Sequence, residues 1–100
     1  MSLEEQRIAM IVAALDEQIT AFKVMLMSPL ERGDLTDEEI GNQIIFLRQI
    51  IDGRKVELPL VPFGKAPDHV KPKITESIEL AIEAATRELD WLLTLPLEAS

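Results

Sequence analysis

Apolar residues recur along the first quarter of the chain at alternating spacings of four and three. The positions are Ile8, Val12, Leu15, Ile19, Phe22 and Leu26. Because successive residues of an α-helix are rotated by about 100°, this spacing places all six side chains on one face. The pattern predicts a first helix over about residues 3–27. We expect it to end before Pro29, because proline lacks the backbone N–H and restricts the residue that precedes it.

A second, shorter helix is predicted next, and both of its ends carry sequence signals. Thr36 is placed to be the N-cap, and Glu39, three residues later, can complete a capping box. Leu35 and Ile40 can pack together as a hydrophobic staple across that cap. Gly53 is typical of the position just after a helix C-terminus, so we expect the helix to occupy residues up to this point.

The next segment, residues 54–71, is predicted to be an extended, proline-rich arm. Its prolines exclude a continuous helix, and Val56, Leu58 and Leu60 alternate with other residues as in a strand. A last helix is expected over residues 72–95, since a proline is tolerated in a first helical turn. Its main apolar stripe consists of Ile74, Ile78, Ala81, Ile82, Ala85, Leu89 and Leu92.

These elements predict an all-α fold, with helices over residues 3–27, 36–53 and 72–95. We expect a three-helix antiparallel bundle of two long helices and one short capped helix, with the extended arm. The simplest packing sets the first and third helices antiparallel and the second against both. One hundred residues fit a single helical domain over residues 1–100. A chain this short buries only about two thirds of its unfolded surface, so we expect dimerisation to complete the bundle.

The chain carries a net charge of −8, and this charge is unevenly distributed. Residues 54–73 contain five bases and two acids, whereas the segments on either side are acidic. The overall charge argues against nucleic acid or an anionic membrane as partner and leaves room for a basic protein. The chain starts with acidic residues, and Asp16 interrupts the first apolar run. Both features argue against a signal peptide and against a membrane span, so we expect a cytoplasmic protein.

Little in the sequence points to chemistry. The absence of cysteine excludes thiolate sites, and a single histidine argues against a histidine-based metal site or triad. Glu76, Glu79 and Glu83 share one face of the last helix, but it lies opposite the apolar stripe, which is typical of a solvated surface. His69 follows Asp68 with no recognisable nucleophile nearby, so we interpret it as structural. We therefore expect no catalytic residue, cofactor or metal.

The sequence contains more apolar side chains than three single-faced helices need to bury. Methionine and tryptophan are suited to intermolecular contacts, so we interpret the surplus as an interface, although the arm could also cover it. The candidate interface residues are Met10, Val24, Met27, Ile45, Leu58, Leu60, Phe63, Leu80, Trp91 and Leu95.

The leading functional hypothesis is a small, acidic, non-enzymatic protein-interaction module. Immunity proteins, antitoxins, secretion chaperones and adaptor subunits offer analogies of this kind. We expect it to form a homodimer and to bind a protein partner through helical surfaces. One alternative is a small all-α enzyme that uses helix carboxylates with a divalent metal, and another is an acidic mimic of nucleic acid.

Overall fold

The computed structural model describes residues 2–96 as a helical chain. In chain order it contains α1 (Leu3–Met27), α2 (Asp37–Glu57), a 3₁₀ helix (Leu58–Phe63) and α3 (Lys71–Thr94). The predicted all-α class and the three predicted α-helices are confirmed. Residues 1 and 97–100 of the predicted domain lie outside the described residues.

The bounds of α1 and its packed face agree with the prediction. The six residues of its apolar stripe are half-buried or buried, whereas the rest of α1 is exposed, and Ile19 is the most deeply buried. The hydroxyl of Ser2 caps the helix by accepting a hydrogen bond from the backbone N–H of Glu5 at 3.1 Å. At the other end the hydroxyl of Ser28 donates to the carbonyl of Val24 at 2.8 Å. Both ends are therefore fixed by local serine contacts.

α2 begins as predicted but ends later. The backbone N–H of Glu39 donates to the hydroxyl of Thr36 at 3.1 Å, and Leu35 packs against the cluster that contains Ile40. The predicted end at Gly53 is wrong, because this glycine does not adopt a positive φ and the helix continues through it. Two basic side chains in the last turn interact favourably with the helix dipole and support the longer helix.

The segment over residues 54–71 is not the extended arm that the prolines predicted. Its first four residues belong to α2, the next six form the 3₁₀ helix, and Lys71 begins α3. Pro59 lies in the first turn of the 3₁₀ helix, where a missing backbone N–H removes no helical hydrogen bond. The 3₁₀ helix packs against both α2 and α3 of its own chain.

α2 and α3 run antiparallel and enclose the main core. The chain just before α2 lies at the end of α3, where the guanidinium of Arg32 donates to the carbonyl of Pro96 at 2.7 Å. At the opposite end Glu57 of α2 lies beside Ile74 in the early turns of α3. The buried residues of this core are Ile40, Leu47, Ile51, Ala85 and Leu92.

α1 packs against another side of α3 and runs in the same direction. Asp16 forms an ion pair with Lys73, and further along both helices Arg87 donates to the carbonyl of Met25. The expectation that the first and third helices are antiparallel is therefore wrong. Short connections make consecutive helices antiparallel, so in a three-helix chain the first and third must be parallel.

The first turns of α1 extend beyond α3. Because Asp16 pairs with Lys73 at the start of α3, about 13 residues of α1, or roughly 20 Å, precede it. This offset accounts for the elongated shape, with extents of 60 × 23 × 19 Å. Among residues 2–96, none of the helices combines the length and the apolar character that crossing a bilayer requires.

Candidate interaction groove

A groove runs along α3 between α1 and α2. Both helices pack against α3, but within the described chain no Cα atom of α1 lies within 8 Å of one in α2. One part has a volume of about 440 Å³, and a second recess of about 200 Å³ continues it, sharing Phe22 and Ala81. We call this feature the central groove. Its main apolar residues are Phe22, Met25, Phe46, Ile50, Ala81 and Ala84.

Each wall of the central groove is the flank of an amphipathic helix. Met25 of α1 and Phe46 of α2 face it while remaining 50% and 53% exposed. The floor is formed by small residues of α3, chiefly Ala81 and Ala84, which leave depth between the walls. A helix packs onto another at 8–10 Å between axes, and small side chains at the contact permit the closer end of this range.

Charged groups in the central groove are few. The guanidinium of Arg54 pairs with the carboxylate of Glu57 at 2.9 Å, so these two charges compensate each other. Glu88 of α3 is half-buried, and no hydrogen bond or ion pair joins its side chain to any other residue between 2 and 96. Of the three charged side chains that line this part of the groove, Glu88 is therefore the one without an ion-pair partner among the described residues.

Arg87 fixes the end of the α1 wall. Its guanidinium donates to the carbonyl of Met25 at 2.7 Å and to that of Ser28 at 2.6 Å. A cation at a helix C-terminus satisfies carbonyls that have no helical partner and interacts favourably with the helix dipole. Among residues 2–96 the guanidinium forms no ion pair with Glu83, although the two residues are one helical turn apart. Arg87 thereby places Met25 at the mouth of the groove.

The predicted interface residues are not brought together at one site, and none of them lines the central groove. Six are exposed: Met10, Val24 and Met27 on α1, Ile45 on α2, and Leu60 and Phe63 on the 3₁₀ helix. Four are half-buried: Leu58, Leu80, Trp91 and Leu95. Of these, Trp91 and Leu95 pack against the core between α2 and α3. Their role in binding stays a prediction.

The wide apolar arc of α3 has an intramolecular explanation. α3 packs against α2 on one side and against α1 on the other, so one stripe of apolar side chains is not enough for it. Leu80 and Ala84, which widen the main stripe, are both half-buried. The surplus on this helix therefore serves folding at least in part.

Met25 and Phe46 were not among the predicted interface residues. Phe46 is adjacent to Leu47 of the α2 stripe and shares a flank with Gln43 and Ile50, at spacings of three and four. A search for a second apolar flank beside each main stripe would have found this residue. Met25 lies on the corresponding flank of α1, three residues after Phe22.

The acidic face of α3 is solvated. Glu79 and Glu83 are exposed, and Glu76 makes a surface ion pair with Lys23 at 3.6 Å. Among the described residues, no group of three or more histidine, aspartate or glutamate side chains is placed to hold a metal ion.

His69 is exposed and lies beside α1. It borders a shallow surface recess with Ile8 and Val12, in the part of α1 that precedes α3. The neighbouring Asp68 forms an ion pair with Lys71 at 3.2 Å. The N-cap residue of α3 is Val70. The structural role of His69 stays a prediction.

No family model, no curated protein and no solved structure matches this chain.

Proposed function

We propose that this chain is a non-enzymatic protein-interaction module that binds a helical segment of another protein in the central groove. The observation that supports the proposal is the open space between α1 and α2, with aromatic and aliphatic side chains on both walls. A helix laid in this space would contact all three helices of the chain. Recognition of an amphipathic helix by an apolar groove is a recurring mode of protein interaction.

The energetics favour an occupied groove. Phe46 and Met25 each keep about half of their surface in water. Burying apolar surface contributes about 25 cal/mol per Å², so a partner that covered both side chains would gain from each of them. Large aromatic residues flanked by smaller apolar ones are typical of residues that dominate binding energy.

Homodimerisation in the cytoplasm is a second part of the proposal. Met10, Ala13, Val24 and Met27 lie on one side of α1, opposite its packed stripe, and all four are exposed. Two copies of this side are self-complementary, because each presents the same apolar side chains to the other. This surface is separate from the central groove, so one chain could dimerise and bind a partner at once.

Replacing both Met25 and Phe46 by alanine is expected to abolish partner binding while leaving the fold intact. Both side chains are half exposed, so their truncation removes binding surface at a small cost in stability. The measurement is affinity capture from the native host with quantitative mass spectrometry. A protein retained by the unmodified chain should be lost from the double variant.

The matched control for this experiment is Ile45→Ala. Ile45 is adjacent to Phe46 in sequence and 58% exposed, but it does not line the groove. We expect this variant to capture the same protein as the unmodified chain. The proposal would be contradicted if Ile45→Ala abolished capture and the double variant did not. It would also be contradicted if neither variant changed capture.

Replacing Val24 by glutamate is expected to convert the homodimer into a monomer. The substitution places two like charges in an apolar contact, which is costly when they are desolvated. The measurement is molar mass by light scattering across a concentration series. Leu93→Glu, on the exposed surface of α3, serves as the control and should leave the dimer unchanged. A monomeric unmodified chain at all concentrations would contradict dimerisation.

A further inference from the structure

We propose that the occupant of the central groove is a basic amphipathic helix, which places an arginine or lysine against Glu88. This inference rests on the proposed function and deepens it by naming the chemistry of the partner. The length of the groove, the charges that line it and the net charge of this chain support the inference.

The length of the groove fits a short helix. Its floor extends from Ile74 to Glu88 of α3, which are separated by roughly 21 Å at 1.5 Å per residue. A helical segment of about 14 residues therefore covers it from end to end. Such a segment needs apolar side chains at spacings of three and four to contact both walls.

The charge of the groove selects the partner. Filling the groove with an apolar helix would remove water from the carboxylate of Glu88, which has no compensating charge among residues 2–96. Burial of an unpaired charge is strongly unfavourable, so a stable occupant must supply a cation there. Arg54 does not serve this purpose, because it already pairs with Glu57.

A second copy of this chain is a poor occupant. α1 contains four acids and two bases, and α2 and α3 each contain five acids and three bases, so every helix carries a net charge of −2. A helix from another copy would add negative charge beside Glu88. The net charge of −8 instead attracts a basic partner over long range.

The test uses two synthetic helical peptides of about 16 residues, long enough to cover the groove. Both have the same leucine positions on the apolar face. One carries arginine in the first and last turns of that face, and the other carries glutamate at these positions. Compensating residues on the polar face give both peptides a net charge of zero, so that long-range attraction is equal.

We expect the arginine peptide to bind the unmodified chain about tenfold more tightly than the glutamate peptide, as measured by fluorescence anisotropy. Glu88→Lys should reverse this preference, whereas Glu83→Lys, on the exposed face of the same helix, should preserve it. Circular dichroism confirms that both variants are folded. The double substitution of Met25 and Phe46 by alanine should weaken both peptides.

Three results of the peptide experiment would overturn the inference. These are equal binding of the two peptides, a preference that Glu88→Lys leaves unchanged, and no binding of either peptide. Dissociation of a dimer by the Met25 and Phe46 substitutions would also overturn it, because a second copy would then occupy the groove. Partner capture that depends on the groove without a preference for the arginine peptide would overturn only this inference and leave the proposed function standing.

Discussion

Replacing Leu92 by alanine is expected to lower the free energy of unfolding by about 3 kcal/mol. Leu92 is only 2% exposed and belongs to the core between α2 and α3. Its truncation removes buried apolar surface and leaves a cavity that a close-packed interior only partly refills. For a domain of this size the melting temperature should fall by roughly 15 °C.

The neighbouring residue provides the control for this prediction. Leu93 is chemically identical but 53% exposed, so Leu93→Ala should change the free energy of unfolding by less than about 0.5 kcal/mol. Urea denaturation followed by circular dichroism measures both values. Equal losses in the two variants would mean that α3 is rotated about its axis relative to the arrangement described above.

Replacing Arg87 by alanine is expected to lower the free energy of unfolding by about 2 kcal/mol. The substitution removes two charge-assisted hydrogen bonds, to the carbonyls of Met25 and Ser28. These bonds hold the C-terminal end of α1, so we expect α1 to detach more readily than α2. Urea denaturation gives the overall loss, and limited proteolysis with mapping of the cleavage sites shows whether α1 is cut first.

Two variants separate the geometry of this contact from its charge. Arg87→Lys keeps the positive charge but cannot present two donors in a fixed fork, so it should lose roughly half of the free energy of unfolding that Arg87→Ala loses. Arg48→Ala removes an exposed arginine whose side chain forms no hydrogen bond or ion pair within residues 2–96, and should have almost no effect. An Arg48→Ala loss as large as that of Arg87→Ala would show that general charge, and not this contact, is responsible.

The parts of the fold that depend on local pattern could be predicted from the sequence. The α1 stripe identified the buried face of that helix, because helical periodicity alone decides which residues share a face. Thr36 and Glu39 identified the start of α2, because an N-cap is a contact between residues three positions apart. In both cases the decisive interaction lies within one helix.

The end of α2 could not be read in the same way. Gly53 is compatible both with a left-handed position after a helix and with a helical interior, and sequence alone does not choose between them. Among the described residues, the left-handed glycine is Gly33, with φ of 55°, in the loop between α1 and α2. The prolines also gave a wrong prediction, because Pro59 lies in the first turn of the 3₁₀ helix, where it removes no helical hydrogen bond, and Pro62 lies inside that short helix without ending it.

The central groove was beyond prediction because it depends on how far apart two helices settle. Periodicity shows that the flanks of α1 and α2 carry Met25 and Phe46, but not that these flanks face each other across α3. The separation of α1 and α2 across α3 depends on the side chains of α3 between them, including the small Ala81 and Ala84. The surplus of apolar residues was recognised, but it was assigned to other surfaces.

The unequal attachment of the three helices gives the groove one firm wall and one adjustable wall. The buried cluster is built from α2 and α3 alone, whereas Ile19, which is 7% exposed, is the one residue of α1 that is buried rather than half-buried or exposed. A displacement of α1 therefore leaves that cluster intact while changing the width of the groove. For the proposed helical ligand, α2 and α3 would form the fixed side of the groove, and α1 the side whose position can adjust on binding.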